Sequence, residues 1–427
     1  MTIGVPVYRG EDYLAETLDS IRAQTHGDFT VLLSLDGPDP NCEALCRRYL
    51  DDPRFRLAIQ PERLGWVGNI NWLMQQVETD FWYFHQQDDL IAPTYLETLL
   101  GHARQHPEAA LVYCELVPFG RIAEPFSEQA PPVLGATAFM RVMTMLHEHW
   151  PAFAFRGLTR TAALREVGGV PENDITNLGV DICWLTGIAR CGELHHVPKP
   201  LYRKRYHASN TESKWWAVDK EARLEMWPIH CVNMLEQAMQ VRATVQELRL
   251  LWLAGVERLA SPDAAAHFLP LAELTSDDRE RLFDQFMDAA QASASLDVPS
   301  RLDTTWEEIG RWTRAFYWMP AREPLQVLNF GPPEVAAGEP FNVQADGKSA
   351  IWVIVDRPAD PALRLQLGDI VLPTTIKDDV LTAAVPVEAT QAAGELPLVA
   401  IGRWDEPRSE VVVLTVTASS GASGLSI

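Results

Sequence analysis

A chain of 427 residues, with 47% hydrophobic and 22% charged side chains, is long enough for two or three domains with full cores and too apolar to be disordered. Its formal net charge of −22 argues against nucleic-acid binding and against unaided attachment to anionic lipid. No apolar run approaches the roughly 18 residues that span a bilayer.

Met1 leads into Thr2-Ile3-Gly4-Val5-Pro6-Val7, which reads as a strand and not as a secretory leader. A cytoplasmic protein without an integral membrane segment is expected, reaching at most the inner face of a membrane as a peripheral partner. The six cysteines are scattered and form no CxxC pair, so zinc or a redox dithiol is not expected. Cys42 and Cys46 suit one helix face, and Cys183 and Cys191 another helix; all read as free thiols in a reducing compartment.

Strand and helix signals alternate through the first part. Residues 3–7 predict a strand, and residues 13–23 a helix with Leu14, Leu18 and Ile21 at helical spacing. A strand over 31–35 ends at Asp36-Gly37-Pro38. A short helix over 43–50, a strand over 56–59, a helix over 65–77 and a strand over 81–84 follow. A helix over 95–105 and a strand over 110–113 continue the order. This βαβα rhythm implies a mostly parallel sheet with helices on both faces. Residues 115–150 interrupt it with Pro-rich loops and a Met-rich helix near Met140–Met145, and 155–207 resume it less regularly.

Residues 213–320 read as helical, with apolar stripes at Val245, Leu248, Trp252 and Val256 and at Leu282, Phe283 and Phe286. After Pro320 the composition turns to short β-rich runs at 341–343, 350–355, 363–367, 381–385, 396–401 and 411–416, spaced as in a β-sandwich. The expected division is 1–212, 213–322 and 323–420, with a flexible tail over 421–427.

The most informative stretch is Trp82-Tyr83-Phe84-His85-Gln86-Gln87-Asp88-Asp89. An apolar strand is cut off by two carboxylates, at the edge where open α/β sheets bind ligands. Acids there commonly hold a divalent cation, which in turn holds phosphate. Taken alone, the pair equally suits a turn or a helix start, and Pro93-Thr94 follows soon after.

Three further segments fit a nucleotide site. Pro6-Val7-Tyr8 ends a strand, where backbone and an aromatic ring can hold a nucleobase. Asp36 can accept hydrogen bonds from a base or ribose, or close an Asx turn. Gly65-Trp66-Val67-Gly68-Asn69 opens a helix whose small residues allow close approach and whose Asn69 offers an amide.

This order resembles the inverting glycosyltransferases of family 2. Tyr13 to Thr25 looks like the family's first helix, Leu35-Asp36-Gly37 its Asp-Asp-Gly turn, and Gly65 to Asn69 its Gly-x-x-x-Asn helix. Gln86-Gln87-Asp88 stands at the Asp-x-Asp, with Gln86 in place of the first acid. Leu164 to Glu172 is similar to the acceptor-side segment, and Val180-Asp181 falls where the family has Glu-Asp. Pro198 to His207 is similar to the family's closing Pro-Leu…His segment.

The resemblance covers about residues 2–212 and implies a GT-A nucleotide-diphospho-sugar transferase domain with a mostly parallel central sheet. A helical segment follows it, and then Pro332-Pro333-Glu334-Val335-Ala336-Ala337-Gly338-Glu339 resembles the opening of an immunoglobulin-like β-sandwich of IPT/TIG type. The family 2 resemblance implies a nucleoside-diphosphate sugar, a UDP-sugar foremost, along Pro6, Val7, Tyr8, Asp36, Asn69, Gln87, Asp88 and Asp89. It further implies Mn2+ or Mg2+ on Asp88 and His207, and Asp181 as the base for a carbohydrate or other hydroxyl acceptor in bacterial glycan or surface-polysaccharide synthesis. Gln86 and Val180 leave room for an alternative, a carbohydrate-binding scaffold with a decayed transferase domain. His195-His196 and Cys191 read as structural. Self-association through the C-terminal regions is expected.

Overall fold

A computed structural model describes the chain except residues 122–130, 148–151, 209, 211–214, 216, 266–267, 270–273, 318–324, 345–346, 357–358, 360–362, 403–407 and 419–427. The expected tail over 421–427 lies outside the described residues. Two compact units are present. The first is Met1–Leu259 with Asp263–Leu269 and Thr275–Thr313; the second is Arg314–Ile427 with Ala260–Pro262 and Pro270–Leu274.

In the first unit β1 (Thr2–Val7), β2 (Thr30–Leu35), β3 (Phe55–Ile59) and β4 (Phe81–Phe84) alternate with α1 (Leu14–Arg22), α2 (Pro40–Arg47) and α3 (Gly65–Gln75). The sheet continues with β5 (Leu90–Ile91), β6 (Ala109–Gly120), β7 (Leu158–Arg160) and β8 (Glu193–Tyr206), in the order β3-β2-β1-β4-β7-β6-β8-β5. β1 runs parallel to both β2 and β4, and β6 parallel to β8. β7 enters antiparallel between β4 and β6. All four residues of β4 are buried, which explains its unbroken aromatic run. Gly4 on β1 makes room for it, since a Cβ there would meet the Trp82 ring at 2.1 Å.

β6 is far longer than the expected 110–113. It pairs with β8 out to Gly120↔Tyr206 across a register shift between Cys114 and Leu116. Pro198 and Pro200 fall in the stretch of β8 skipped by that shift, where a missing N–H costs no ladder bond. β8 therefore reaches from the far end of the sheet to the edge where β4 stops.

Helices α4 (Tyr95–Gln105), α6 (Thr161–Val167) and α7 (Val180–Cys191) pack on the sheet, and α5 (Ala138–His147) packs on α7. Later helices span Lys220–Ala238, Val245–Leu259, Ser276–Ala292 and Trp306–Tyr317. Their stripes are core: Leu248, Trp252, Val256, Leu282, Phe283 and Phe286 are buried. The Trp252 indole N–H donates to Thr313 Oγ1 at 2.9 Å.

The second unit has a five-stranded and a four-stranded sheet. Ile351, Val353, Leu381 and Ala383 of one share an apolar core with Leu365, Leu398, Leu414 and Val416 of the other, which makes a β-sandwich. The expected strand over 341–343 does not form. Asn342 adopts a left-handed backbone with φ 42°, breaking the extended run. Among the described residues no helix is long and apolar enough to cross a membrane. Cys42, Cys46, Cys114, Cys183 and Cys231 are buried free thiols, and Cys191 is half-buried.

Candidate active site

The carboxyl ends of β1, β2 and β4 converge with the end of β8. Asp36 N donates to Val7 O at 2.8 Å, and His85 N to Gly4 O at 3.0 Å, so three strand ends are fastened side by side. Pro6 is half-buried and lies in register with Ser34, while Val7 is fully buried, so beyond Val7 only backbone and the Tyr8 ring can face a ligand. The Arg63 guanidinium stands 4.3 Å from the Tyr8 ring centre and Arg9 stands 5.2 Å from it, which gives the ring a cationic surround.

Two residues expected along the nucleotide sugar, Asn69 and Gln87, spend their amides on the protein. Gln87 Oε1 accepts from Tyr8 N at 2.8 Å while its Nε2 donates to Tyr8 O at 2.8 Å. Asn69 is 1% exposed; it accepts from the Ser34 hydroxyl and donates to Ser34 O at 3.0 Å. Both side chains complete main-chain bonding where a strand stops, a need the linear sequence does not display. Asp36 shares this work: Leu64 N donates to its Oδ1 at 2.6 Å, and its Oδ2 lies 4.0 Å from Arg63 Nε. Replacing Gln87 with Leu leaves the Tyr8 peptide unpaired, with an expected loss of about 1–3 kcal/mol, read as a lower denaturant midpoint at unchanged slope.

The two adjacent acids differ in where they face. Asp89 turns inward and is fully buried. Its Oδ2 accepts from the Tyr202 hydroxyl at 2.7 Å, its Oδ1 from Arg205 N at 2.7 Å, and Arg156 Nε lies 3.5 Å away. Burial, then the neighbouring Asp88 charge, push its carboxyl up to about 6, against the pull of Arg156. Asp88 faces the cleft: its Oδ2 lies 2.7 Å from His207 Nε2, and the two side chains keep 17% and 15% exposure.

The loop that carries them is held from both sides. The Thr17 hydroxyl on α1 reaches Gln87 O at 2.9 Å and Asp89 O at 3.0 Å. Arg205 Nε donates to Asp88 O at 2.9 Å, and its Nη2 pairs with Glu16 at 2.6 Å. His207 is set by its own N–H donating to Asn210 Oδ1 at 2.6 Å and by the Tyr13 ring at 4.9 Å.

Asp181 lies in the first turn of α7, after a left-handed Gly179. Its Oδ1 accepts from Ile182 N at 2.9 Å. Burial raises its carboxyl above the ordinary range, and the charges of Arg156 and Lys204 oppose that rise. Arg156 thus acts on Asp181 and Asp89 together, and its Nη2 also donates to Gln86 Oε1 at 3.2 Å. Sequence reading passed over Arg156. The available signal was a cation after Ala152-Phe153-Ala154-Phe155, since a guanidinium in an apolar run needs an anionic partner. His85 is also buried, with Nδ1 at 2.7 Å from the Tyr83 hydroxyl; burial drives its pKa down to about 3 and leaves it neutral.

Residues 2–154 match the family model described as glycosyl transferase family 2. The glycosyltransferase GlyA of Streptococcus pneumoniae serotype 4 is 30% identical over 99 residues, 23% of this chain and 14% of that protein. An uncharacterized glycosyltransferase of Rickettsia typhi is 24% identical over 115 residues, 27% of this chain and 35% of that one. The chain therefore spans well under two thirds of either curated relative.

Among solved structures, S. aureus TarS 1–349 in complex with UDP-GlcNAc superposes with a TM-score of 0.53 at 17% identity, covering 74% of this chain and 87% of that one. S. aureus TarS in a further structure gives a TM-score of 0.51 at 15% identity over 99% of this chain and 79% of that one. Motif order, sheet topology and family match agree: residues 2–154 are similar to glycosyl transferase family 2, and the N-terminal α/β domain is built on the GT-A fold.

Proposed function

We propose that this domain transfers a sugar from a nucleoside-diphosphate sugar to an acceptor hydroxyl, with inversion at the anomeric carbon. One observation carries the reading: the cleft-facing Asp88–His207 pair stands at the end of β4, beside the Tyr8 and Asp36 strand ends, and Arg156 links that loop electrostatically to Asp181. Tyr8, with Arg9 and Arg63 around its ring, receives the nucleoside.

A carboxylate and an imidazole 2.7 Å apart, both reachable from solvent, form a donor set suited to Mn2+ or Mg2+. Such an ion, when bound, supplies neutralisation of the charge gathering on the departing diphosphate. Asp181 accepts the proton of the acceptor hydroxyl as its oxygen bonds to the anomeric carbon. The bond from that carbon to the diphosphate oxygen breaks, so one displacement inverts the centre. Arg156 holds Asp89 and, through it, the loop that presents Asp88.

Two measurements test this reading. Incubation with a panel of nucleotide sugars, UDP-GlcNAc first, plus Mn2+ or Mg2+ should release free nucleoside diphosphate, with the opposite anomer in the product by NMR. A panel with no release, or a retained anomer, would overturn it. Asp88→Ala should abolish the cation dependence of nucleotide binding in calorimetry; an unchanged titration removes Asp88 from the ligand role. For the C-terminal sandwich we propose self-association, tested by light scattering of the whole chain against one ending at Pro320.

A further inference from the structure

The cysteines give no reason to expect zinc, but three histidines away from the cleft do. His102 and His106 lie one turn apart at the C-terminal end of α4, their rings stacked at 4.3 Å. His195, near the start of β8, brings its ring to 5.3 Å from His102 and 4.9 Å from His106. One ligand atom from each lies within 4.8 Å of the others, and His102 Nε2 is 3.0 Å from His195 Nδ1.

The protonation pattern points the same way. His195 Nε2 lies 2.8 Å from Glu193 Oε2. A carboxylate only accepts, so that nitrogen carries the proton and the lone pair of Nδ1 is left facing His102. His106 Nδ1 is held likewise by Glu108 Oε1 at 2.9 Å, which leaves its other ring nitrogen available. Glu193 is itself fixed, since its Oε1 accepts from Gly135 N at 3.1 Å. Imidazoles with one nitrogen on a carboxylate and the other turned to a shared point are how metal-ligating histidines are oriented.

We propose that His102, His106 and His195 form a transition-metal site of zinc type, oriented by Glu193 and Glu108. Three imidazole nitrogens suit Zn2+ over the hard cations that take oxygen. The i, i+4 pair on a helix with a third histidine from a neighbouring strand leaves a fourth position for water or a carboxylate. The ion would clip the end of α4 to the start of β8. Both elements lead to the cleft: α4 follows the Asp88–Asp89 loop, and β8 carries Tyr202 and Arg205.

The test uses the untagged full chain, stripped with chelator and titrated with Zn2+ in the presence of Mg2+. The expected result is one tight equivalent of Zn2+ per chain with a rise in melting temperature. Co2+ in its place should give the intense visible bands of a tetrahedral site. The double variant His102→Ala/His106→Ala should lose at least about 100-fold in Zn2+ affinity, and Glu193→Gln about 10- to 100-fold. Asp88→Ala should keep the site. No saturable Zn2+ uptake by the wild type, or uptake lost in Asp88→Ala and kept in the histidine variants, would overturn the proposal. If the double variant does not fold, the Co2+ spectrum of the wild type and of His195→Asn decides.

Discussion

Asp181→Asn is expected to lower the turnover number by about 10²- to 10⁴-fold, the usual contribution of a positioned general base, while nucleotide affinity stays within a factor of about two. The variant keeps the size of the side chain and the acceptor for Ile182 N, so α7 should start unchanged. What it loses is the ability to take a proton. The pH profile gives a second check. Burial raises the Asp181 carboxyl above the ordinary carboxylate range, and the base is competent only when ionised. Wild-type kcat/KM should therefore fall as pH drops through that raised pKa, and the residual activity of Asp181→Asn should lack this acid limb. Unchanged turnover, or an acid limb that persists in the variant, would remove Asp181 from the base role.

The second large effect falls on stability. Asp89→Ala leaves Arg156 without its carboxylate and strips the acceptors of the Tyr202 hydroxyl and Arg205 N. Removing one partner of such a buried pair costs about 3–5 kcal/mol, so the variant should melt well below the wild type or fail to accumulate. The pH dependence has a definite sign. In the fold the Asp89 carboxyl stands at about 6, above its ordinary 3.8, so this group's contribution is fully present below the lower value and is lost as pH rises through about 6. In metal-free buffer the stability advantage of wild type over Asp89→Asn should therefore be largest near pH 4 and shrink toward pH 6. Denaturant melts across that interval measure it; an advantage that grows with pH would contradict the assignment.

The sequence made the architecture readable wherever a segment carries its own periodicity. Phe81 to Phe84 and Tyr95 to Gln105 form the strand and helix that their patterns predict, because burial on both sides or on one face writes itself into the residues. It failed where an element exists only through its partner. Beyond Tyr113, β6 contains Glu115 and Pro118 and has no strand-like run, yet β8 pairs with it to Gly120. The same division runs through the site. Asp88 and His207 come together at 2.7 Å. Asn69 and Gln87 fall along the expected nucleotide sugar in a linear reading, and the fold uses them to satisfy Ser34 and Tyr8. Arg156 was hidden for the opposite reason, since its meaning lies in Asp89 and Asp181, both distant in the chain.

Gln86 has a consequence for charge balance around the proposed base. Its amide accepts from Arg156 without neutralising it, so the guanidinium charge remains to act on Asp89 and Asp181. An acid at that position would form its own ion pair with Arg156 and weaken the positive field that opposes the burial-driven rise at Asp181. On the proposed mechanism, the amide that costs this chain one cation-facing acid also preserves a positive charge that favours the ionised form of the base.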